Sequence, residues 1–267
     1  MAKQGISGQK LLFGRDRVFK YVDDKSKIPG LKSQYEYLSN EIPLYGMPGL
    51  QWIESGGKYG FTMSKLNDDI ELRHIKQMVQ YVKHIKDWNP HTVKTIEQLK
   101  ISDFVNIDFW GYIEYVMDII YSNPNLFKKF DEVKFNEMLD KYGVYCVNET
   151  SYYHGDFTIH NILIYDNDNI VPIDSNFKGL SLWGSYLLDL SKMFQDVHLV
   201  DNEMYGEILK EISIQFPDVK LELLYLLELT HYIRMIPYAF KHSEGLGIEK
   251  INKFLELSEL LGLKIKD

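Results

Sequence analysis

The stretch from Tyr152 to Asp174 constrains the fold more than any other part of the chain. It carries His154-Gly155-Asp156, then Asn161, an apolar run Ile162-Leu163-Ile164, a polar turn Asp166-Asn167-Asp168-Asn169, a second run Ile170-Val171-Pro172-Ile173, and Asp174. Two short apolar runs on either side of a polar turn are the pattern of a β-hairpin. A hairpin returns the chain on itself, so Asp174 is expected back beside Asn161, with Asp156 on the loop just before them. The fold must therefore gather two carboxylates and a carboxamide at one end of a small hairpin.

That set suits phosphoryl transfer. Magnesium is a hard cation that prefers oxygen ligands and keeps several waters, so one carboxylate and one amide oxygen suffice beside nucleotide phosphates. The protein's part in such a reaction is mainly positioning and charge neutralisation. A further carboxylate near the acceptor hydroxyl orients it and accepts its proton. Asp156 fits that last task, and Asn161 with Asp174 fits the metal.

The rest of the chain divides near Leu66. Before it, strand and turn signals dominate: Leu11–Phe13 and Val18–Val22 around Gly14-Arg15-Asp16-Arg17, a helix over Leu31–Glu41 ended by Pro43, and a hairpin of Gly49–Ile53 with Tyr59–Leu66 across Ser55-Gly56-Gly57. The expectation is a β-β-α-β-β unit, preceded by a Gly/Ser loop over Gly5–Gln9. After Asn67 the character is helical. Ile75, Met78, Val79, Val82 and Ile85 share one helical face within 68–88. Further helices are expected over Ser102–Ser122, capped by Ser102 or Asp103, over Phe127–Tyr142, and from Leu187 onward. The reading is α+β and bilobal, with residues 1–66 as a small sheet lobe and 67–267 as a larger, mainly helical lobe. Clefts between lobes are preferred ligand sites.

Composition narrows the function. The 267 residues are 45% hydrophobic and 25% charged, ordinary for a soluble globular protein. The formal net charge of −8 lacks the basic footprint of a nucleic-acid binder and would suit a cationic substrate. Cys146 stands alone, so no internal disulfide forms and a reducing, cytoplasmic setting is expected. The N-terminus lacks a signal-peptide core, and no apolar run is long enough to span a membrane. Leu221 to Phe240 is interrupted by Glu222, Glu228, His231 and Arg234, and reads as a buried helix.

The residues from His154 to Asp174 resemble the catalytic and metal motifs of the aminoglycoside phosphotransferase and choline kinase superfamily, which has a protein-kinase-like fold. The family has Gly where protein kinases have Arg in the catalytic loop. The resemblance implies a small-molecule kinase that uses Mg2+ with ATP or GTP. It implies Asp156 as the catalytic base and Asn161 and Asp174 as metal ligands. Lys20 would contact nucleotide phosphates and be supported by a helix glutamate, Glu36 or else Glu41. The segment Ser64 to Leu66 would meet the nucleobase, with Ser64 and Leu66 as contacts. Asp189, in Asp189-Leu190-Ser191, resembles the aspartate that braces the catalytic loop, and His154 would support that loop. Trp183-Gly184-Ser185 departs from relatives that carry an acid after the glycine. Arg234, on a segment resembling a helix near the acceptor pocket, would hold an anionic acceptor group or merely cap a helix. A fainter likeness is to the kinase-like domains of bacterial capsule and surface-sugar proteins.

The acceptor implied is a small hydroxylated molecule: a sugar or sugar derivative, an aminoglycoside or an amino alcohol. Partners are then nucleotide and acceptor, with neither nucleic acid nor membrane. Two other classes compete. One is a nucleotide-binding scaffold of the same fold without catalysis. The other takes His154, Asp156 and His160 as the ligands of a metallohydrolase, which leaves Lys20 and Asp174 without a role.

Overall fold

Strands come first along the chain, and helices take over after residue 71. The computed structural model describes residues 2–4, 9–39, 47–87, 109–143, 154–165, 169–174 and 185–262. Its first part is a five-stranded antiparallel sheet in the order β1-β2-β3-β5-β4, formed by β1 (Ala2–Gln4), β2 (Lys10–Phe13), β3 (Arg17–Val22), β4 (Gln51–Ser55) and β5 (Lys58–Ser64). One helix, α1 (Ile28–Ser39), packs on it. The β4–β5 turn uses Gly56 and Gly57 at φ 58° and 75°, the paired left-handed conformations of a tight hairpin that glycine adopts at no steric cost. At Gly60 the neighbouring strand comes so close that an added Cβ would lie 2.0 Å from the Lys20 carbonyl oxygen.

Strands β4 and β5 end within two residues of their expected bounds, and two features depart further. Strand β1 is an addition, since Ala-Lys-Gln has no apolar alternation to announce it. Helix α1 starts three residues early, because Pro29 sits in its first turn, where a missing N–H and a fixed φ do no harm. Residues 5–8 of the expected Gly/Ser loop, and Glu41, lie outside the described residues.

The second part holds α2 (Leu72–Asp87), α3 (Phe109–Ser122), α4 (Glu132–Tyr142), the hairpin β6 (Ile162–Tyr165) and β7 (Asn169–Pro172), and then α5 (Ser185–Val197), α6 (Asn202–Gln215), α7 (Leu221–His242) and α8 (Glu244–Leu260). Helix α2 buries all five residues of its expected face. Helix α4 begins five residues later than expected. Asp131 caps it by accepting the Lys134 N–H at 3.2 Å, while Phe127 and Phe130 reach the core from a turn before it. The Ser102/Asp103 cap lies outside the described residues. Among the described residues no helix is long and apolar enough to cross a membrane.

One hydrophobic core runs through both parts. Val18, Val22, Phe61 and Met63 of the sheet join Met78 and Val82 of α2 and Leu190 and Phe194 of α5. Burial of this kind supplies about 25 cal/mol for each Å² of apolar surface removed from water. The connection after β5 is pinned to both parts: the Lys65 N–H donates to the Asp16 carbonyl at 3.0 Å, and the Ile164 N–H of β6 donates to the Asn67 carbonyl at 2.7 Å. The site hairpin is therefore fastened to the chain leaving the sheet.

Candidate active site

The catalytic-looking loop is built by its backbone. Gly155 adopts φ 84°, a left-handed conformation that favours glycine. The His154 and Gly155 N–H groups both donate to the Asp189 carboxylate of α5, at 2.6 and 2.9 Å. Burial pushes that carboxyl up to about 7, against the lowering effect of the two N–H groups it accepts. His154 is fully buried. Burial brings its imidazole down to about 4, so it is neutral at pH 7, and its Nδ1 accepts the Asp156 N–H at 3.4 Å. His154 thus holds the loop and leaves proton chemistry to its neighbours.

Beyond the loop, a single turn of 3-10 helix at Ile159–Asn161 leads into β6. Asn161 Nδ2 donates to the Asp156 carbonyl at 2.9 Å and to Asp156 Oδ2 at 3.0 Å. A carboxylate only accepts, so this pairing fixes which way the amide points and leaves Asn161 Oδ1 on the other side. The Asn161 carbonyl accepts the Ile173 N–H at 2.8 Å. That bond closes the hairpin and sets Asp174 next to Asn161, in the left-handed region at φ 59°.

Asp174 makes the contact that joins the two parts of the molecule. Its Oδ1 accepts from Lys20 Nζ of β3, across 154 positions of sequence. The Lys20 side chain is 3% exposed and that of Asp174 is 40% exposed. Burial lowers the Lys20 ammonium, and Asp174 works against that. The structure therefore brings together Lys20, Asp174, Asn161 and Asp156, with His154 and Asp189 behind them.

It does not bring Glu36 to Lys20. Leu31, Gln34 and Leu38 are the buried residues of α1, at the spacing of one helical face, and Glu36 is left on the exposed side. Ser64 lies at the end of β5, where its N–H is already given to the Pro48 carbonyl at 2.8 Å. Leu66 packs partly buried against the core. Arg234 projects from α7 over the rings of Tyr112 and Tyr115.

Two residues of the site escaped the sequence reading. Lys192 Nζ stands 3.5 Å from Asp156 Oδ1. Asp196 accepts the Ile159 N–H at 2.8 Å and so supports the same loop. Burial lowers the Lys192 ammonium, offset by Asp156 and deepened by the charge of Arg234. The signal for both was available, since Asp189, Lys192 and Asp196 fall on one face of α5 at helical spacing.

The oxygen atoms present fit a magnesium site. Asp174 offers a solvent-reaching carboxylate and Asn161 an amide oxygen, the pair that would hold the ion while waters and phosphates complete its shell. His154, Asp156 and His160 do not form a rival centre: His154 is buried in the loop, His160 is exposed, and among the described residues no three His, Cys, Asp or Glu side chains gather as metal ligands.

No family model matches the sequence, and no curated protein does either. Solved structures do match over nearly the whole chain. A choline/ethanolamine kinase family protein from Mesorhizobium loti aligns with a TM-score of 0.62 at 6% identity, over 97% of this chain and 88% of that one. An APH(2″) structure holding GDP and kanamycin aligns with a TM-score of 0.60 at 13% identity, over 96% and 91%. The choline kinase LicA from Streptococcus pneumoniae gives 0.58 at 12% identity, over 96% and 92%. The architecture is thus the bilobal, protein-kinase-like fold of small-molecule phosphotransferases. Within that class, the chain has the fold shared by choline kinases and aminoglycoside phosphotransferases.

Proposed function

We propose that the protein is a magnesium-dependent kinase that transfers the terminal phosphate of ATP or GTP to a hydroxyl of a small molecule. The observation that carries this is the Lys20–Asp174 ion pair, which places a buried cation of the sheet against the hairpin that holds Asn161 and, beside it, Asp156. Such a set has the parts that phosphoryl transfer needs, and little else explains a lysine buried at that junction.

In this reading residues 1–66 form the nucleotide-binding lobe and 67–267 the catalytic and acceptor-binding lobe. Lys20 binds nucleotide phosphates, and the Ser64–Leu66 segment borders the base. Asn161 and Asp174 would hold magnesium, which when bound would neutralise charge on the transferring group. Asp156, whose carboxylate reaches solvent and is oriented by Asn161 and Lys192, takes the proton of the acceptor hydroxyl. Asp189 and His154 keep the loop in shape for that step. Solved structures of this fold include a choline kinase and aminoglycoside phosphotransferases, which supports a small hydroxylated acceptor. An intracellular, nucleotide-rich setting follows from the same reading.

The test is turnover of Mg-ATP and Mg-GTP against a panel of sugars, amino alcohols and hydroxy acids. Asp156→Asn should lower kcat by about 10²- to 10⁴-fold, the usual contribution of a positioned base, while nucleotide still binds. Nucleotide binding with equal residual turnover in both proteins would instead identify a non-catalytic scaffold.

A further inference from the structure

The acceptor side of Asp156 carries two cations that the nucleotide chemistry does not use. Ser191 Oγ of α5 and His231 Nε2 of α7 lie 3.0 Å apart and pin the two helices together. Lys192 follows Ser191 directly, and Arg234 lies one helical turn beyond His231. The two are near enough that the charge of Arg234 acts on the Lys192 ammonium. Lys192 stops beside the Asp156 carboxylate. Arg234 goes further, with its guanidinium 5.8 Å from the ring centre of Tyr112 and 6.0 Å from that of Tyr115 on α3. Tyr112 is in turn held by a 2.8 Å hydrogen bond to Thr230 of α7.

Arg234 remains accessible to solvent although protein crowds it, as a residue on the wall of a cleft does. Among the described residues its charge is met by aromatic faces and by no carboxylate. Its positive field lowers the neighbouring Lys192, after burial and against Asp156, and together the two cations add to the burial that keeps His231 neutral. Two like charges side by side in partly dry surroundings repel each other, and an anion between or beside them relieves that. A guanidinium beside two tyrosines has N–H donors to spare, and its planar fork meets a carboxylate or phosphate with two parallel hydrogen bonds.

We infer that the acceptor is a hydroxylated small molecule that also bears an anionic group, a carboxylate or a phosphate ester, gripped by Arg234 while its hydroxyl lies at Asp156. This rests on the phosphotransfer reading above and narrows its substrate. In the reaction the acceptor hydroxyl oxygen forms a bond to the terminal phosphorus. The bond from that phosphorus to the bridging oxygen breaks, the nucleoside diphosphate leaves with that electron pair, and the hydroxyl proton passes to Asp156. Lys192, between the two anions, keeps Asp156 and the acceptor's acid group from repelling each other. An ammonium-bearing acceptor would meet both cations instead.

The experiment uses matched sets with the full chain: glucose, glucosamine, glucuronate and glucose 6-phosphate, and glycerol, ethanolamine, glycerate and glycerol 3-phosphate, each with Mg-ATP and Mg-GTP. Binding is read in parallel by calorimetry with Mg-ADP present, so that an acid that binds without turning over still registers. Within a set, the anionic members should exceed the neutral parent by at least about tenfold in kcat/KM or in affinity, with the ammonium member last. Glucuronate against glucose 6-phosphate, and glycerate against glycerol 3-phosphate, tell carboxylate from phosphate. Arg234→Lys, which keeps the charge but loses the fork, should weaken the anionic members by about tenfold. Arg234→Glu should reverse the order of acid and amine. If ammonium or neutral members lead in the wild type, if no acid binds, or if Arg234→Glu lowers all members alike, the inference is overturned. Turnover of an amine or a neutral sugar in that case leaves the phosphotransfer reading standing, whereas failure to bind either nucleotide removes both.

Discussion

Replacing Lys20 by methionine separates the functional reading of the Lys20–Asp174 pair from a structural one. Methionine keeps the length of the aliphatic stem and removes only the ammonium. Breaking an ion pair costs about 3–5 kcal/mol when the charge left behind stays buried, and about 0–1 kcal/mol when that charge is exposed. The charge left behind here is Asp174, whose side chain is 40% exposed against 3% for Lys20, so water takes over its solvation. The substitution also removes an ammonium that burial already disfavours. The expected change in unfolding free energy is therefore about 1 kcal/mol or less. Nucleotide binding should respond very differently. One hydrogen bond to a charged group contributes about 1.5–3 kcal/mol, so the Kd for Mg-ATP and Mg-GTP should rise by about 10- to 150-fold. Urea denaturation gives the first quantity and calorimetric titration the second. A stability loss above about 3 kcal/mol with unaltered nucleotide affinity would show that the pair merely clamps the sheet to the hairpin.

Two further substitutions probe the frame of the site. His154 is held at about 4 by burial, against 6.5 for a free imidazole, so between those values the unfolded chain takes up a proton that the folded chain refuses. The stability tied to His154 is full above pH 6.5 and is lost as pH falls towards 4, by about 3 kcal/mol; the Asp189 carboxyl, raised to about 7, gains stability over much of that range, so the reading is the difference: between pH 7.5 and 4.5 the change in the wild type should be less favourable than that in His154→Gln by about 2–3 kcal/mol, and equal changes would refute it. Gly60→Ala would set a Cβ 2.0 Å from the Lys20 carbonyl oxygen and 2.7 Å from the Tyr21 Cα, so β3 and β5 must part. We expect about 2–4 kcal/mol of lost stability, with weaker nucleotide binding because Lys20 moves with its strand; an unchanged thermal midpoint would contradict that geometry.

What the sequence made legible follows sequence distance. The Asp156, Asn161 and Asp174 cluster needs only a loop, a hairpin and its closing bond, all within 21 residues from His154 to Asp174, and local pattern specifies each of these. Lys20 could be named only through the resemblance, because nothing in Val18–Val22 says that its partner, Asp174, lies across the molecule. Of the two glutamates expected to support Lys20, Glu36 stands on the exposed side of α1 and Glu41 lies outside the described residues. Leu31, Gln34 and Leu38 set the buried face of α1, and Glu36, two residues from both Gln34 and Leu38, is turned well away from it. Lys192 and Asp196 were within reach. They continue the face of α5 begun by Asp189, and a polar stripe on a helix whose other faces are buried needs a polar neighbour.

That neighbour is the loop of His154 to Asp156, and if the proposed function holds, its local charge bears on the acceptor more than the chain's total does. A net charge of −8 suggests attraction for cations. Charges spread over a surface, however, are screened within about 8–10 Å at moderate salt, whereas Lys192 stands 3.5 Å from Asp156. The interactions that decide which molecule rests with its hydroxyl on Asp156 act within that shorter range, in surroundings drier than the surface. The acidic exterior can keep the protein soluble and still leave the acceptor side of the cleft positive. The fold is shared with choline kinases at identities as low as 6%, which is enough to preserve the positions of helices and far too little to preserve the signs of the side chains between them. Under the proposed function, a cation pair at α5 and α7 would turn the acceptor preference from amine to acid without moving Lys20, Asn161 or Asp174, the residues proposed to handle the phosphate.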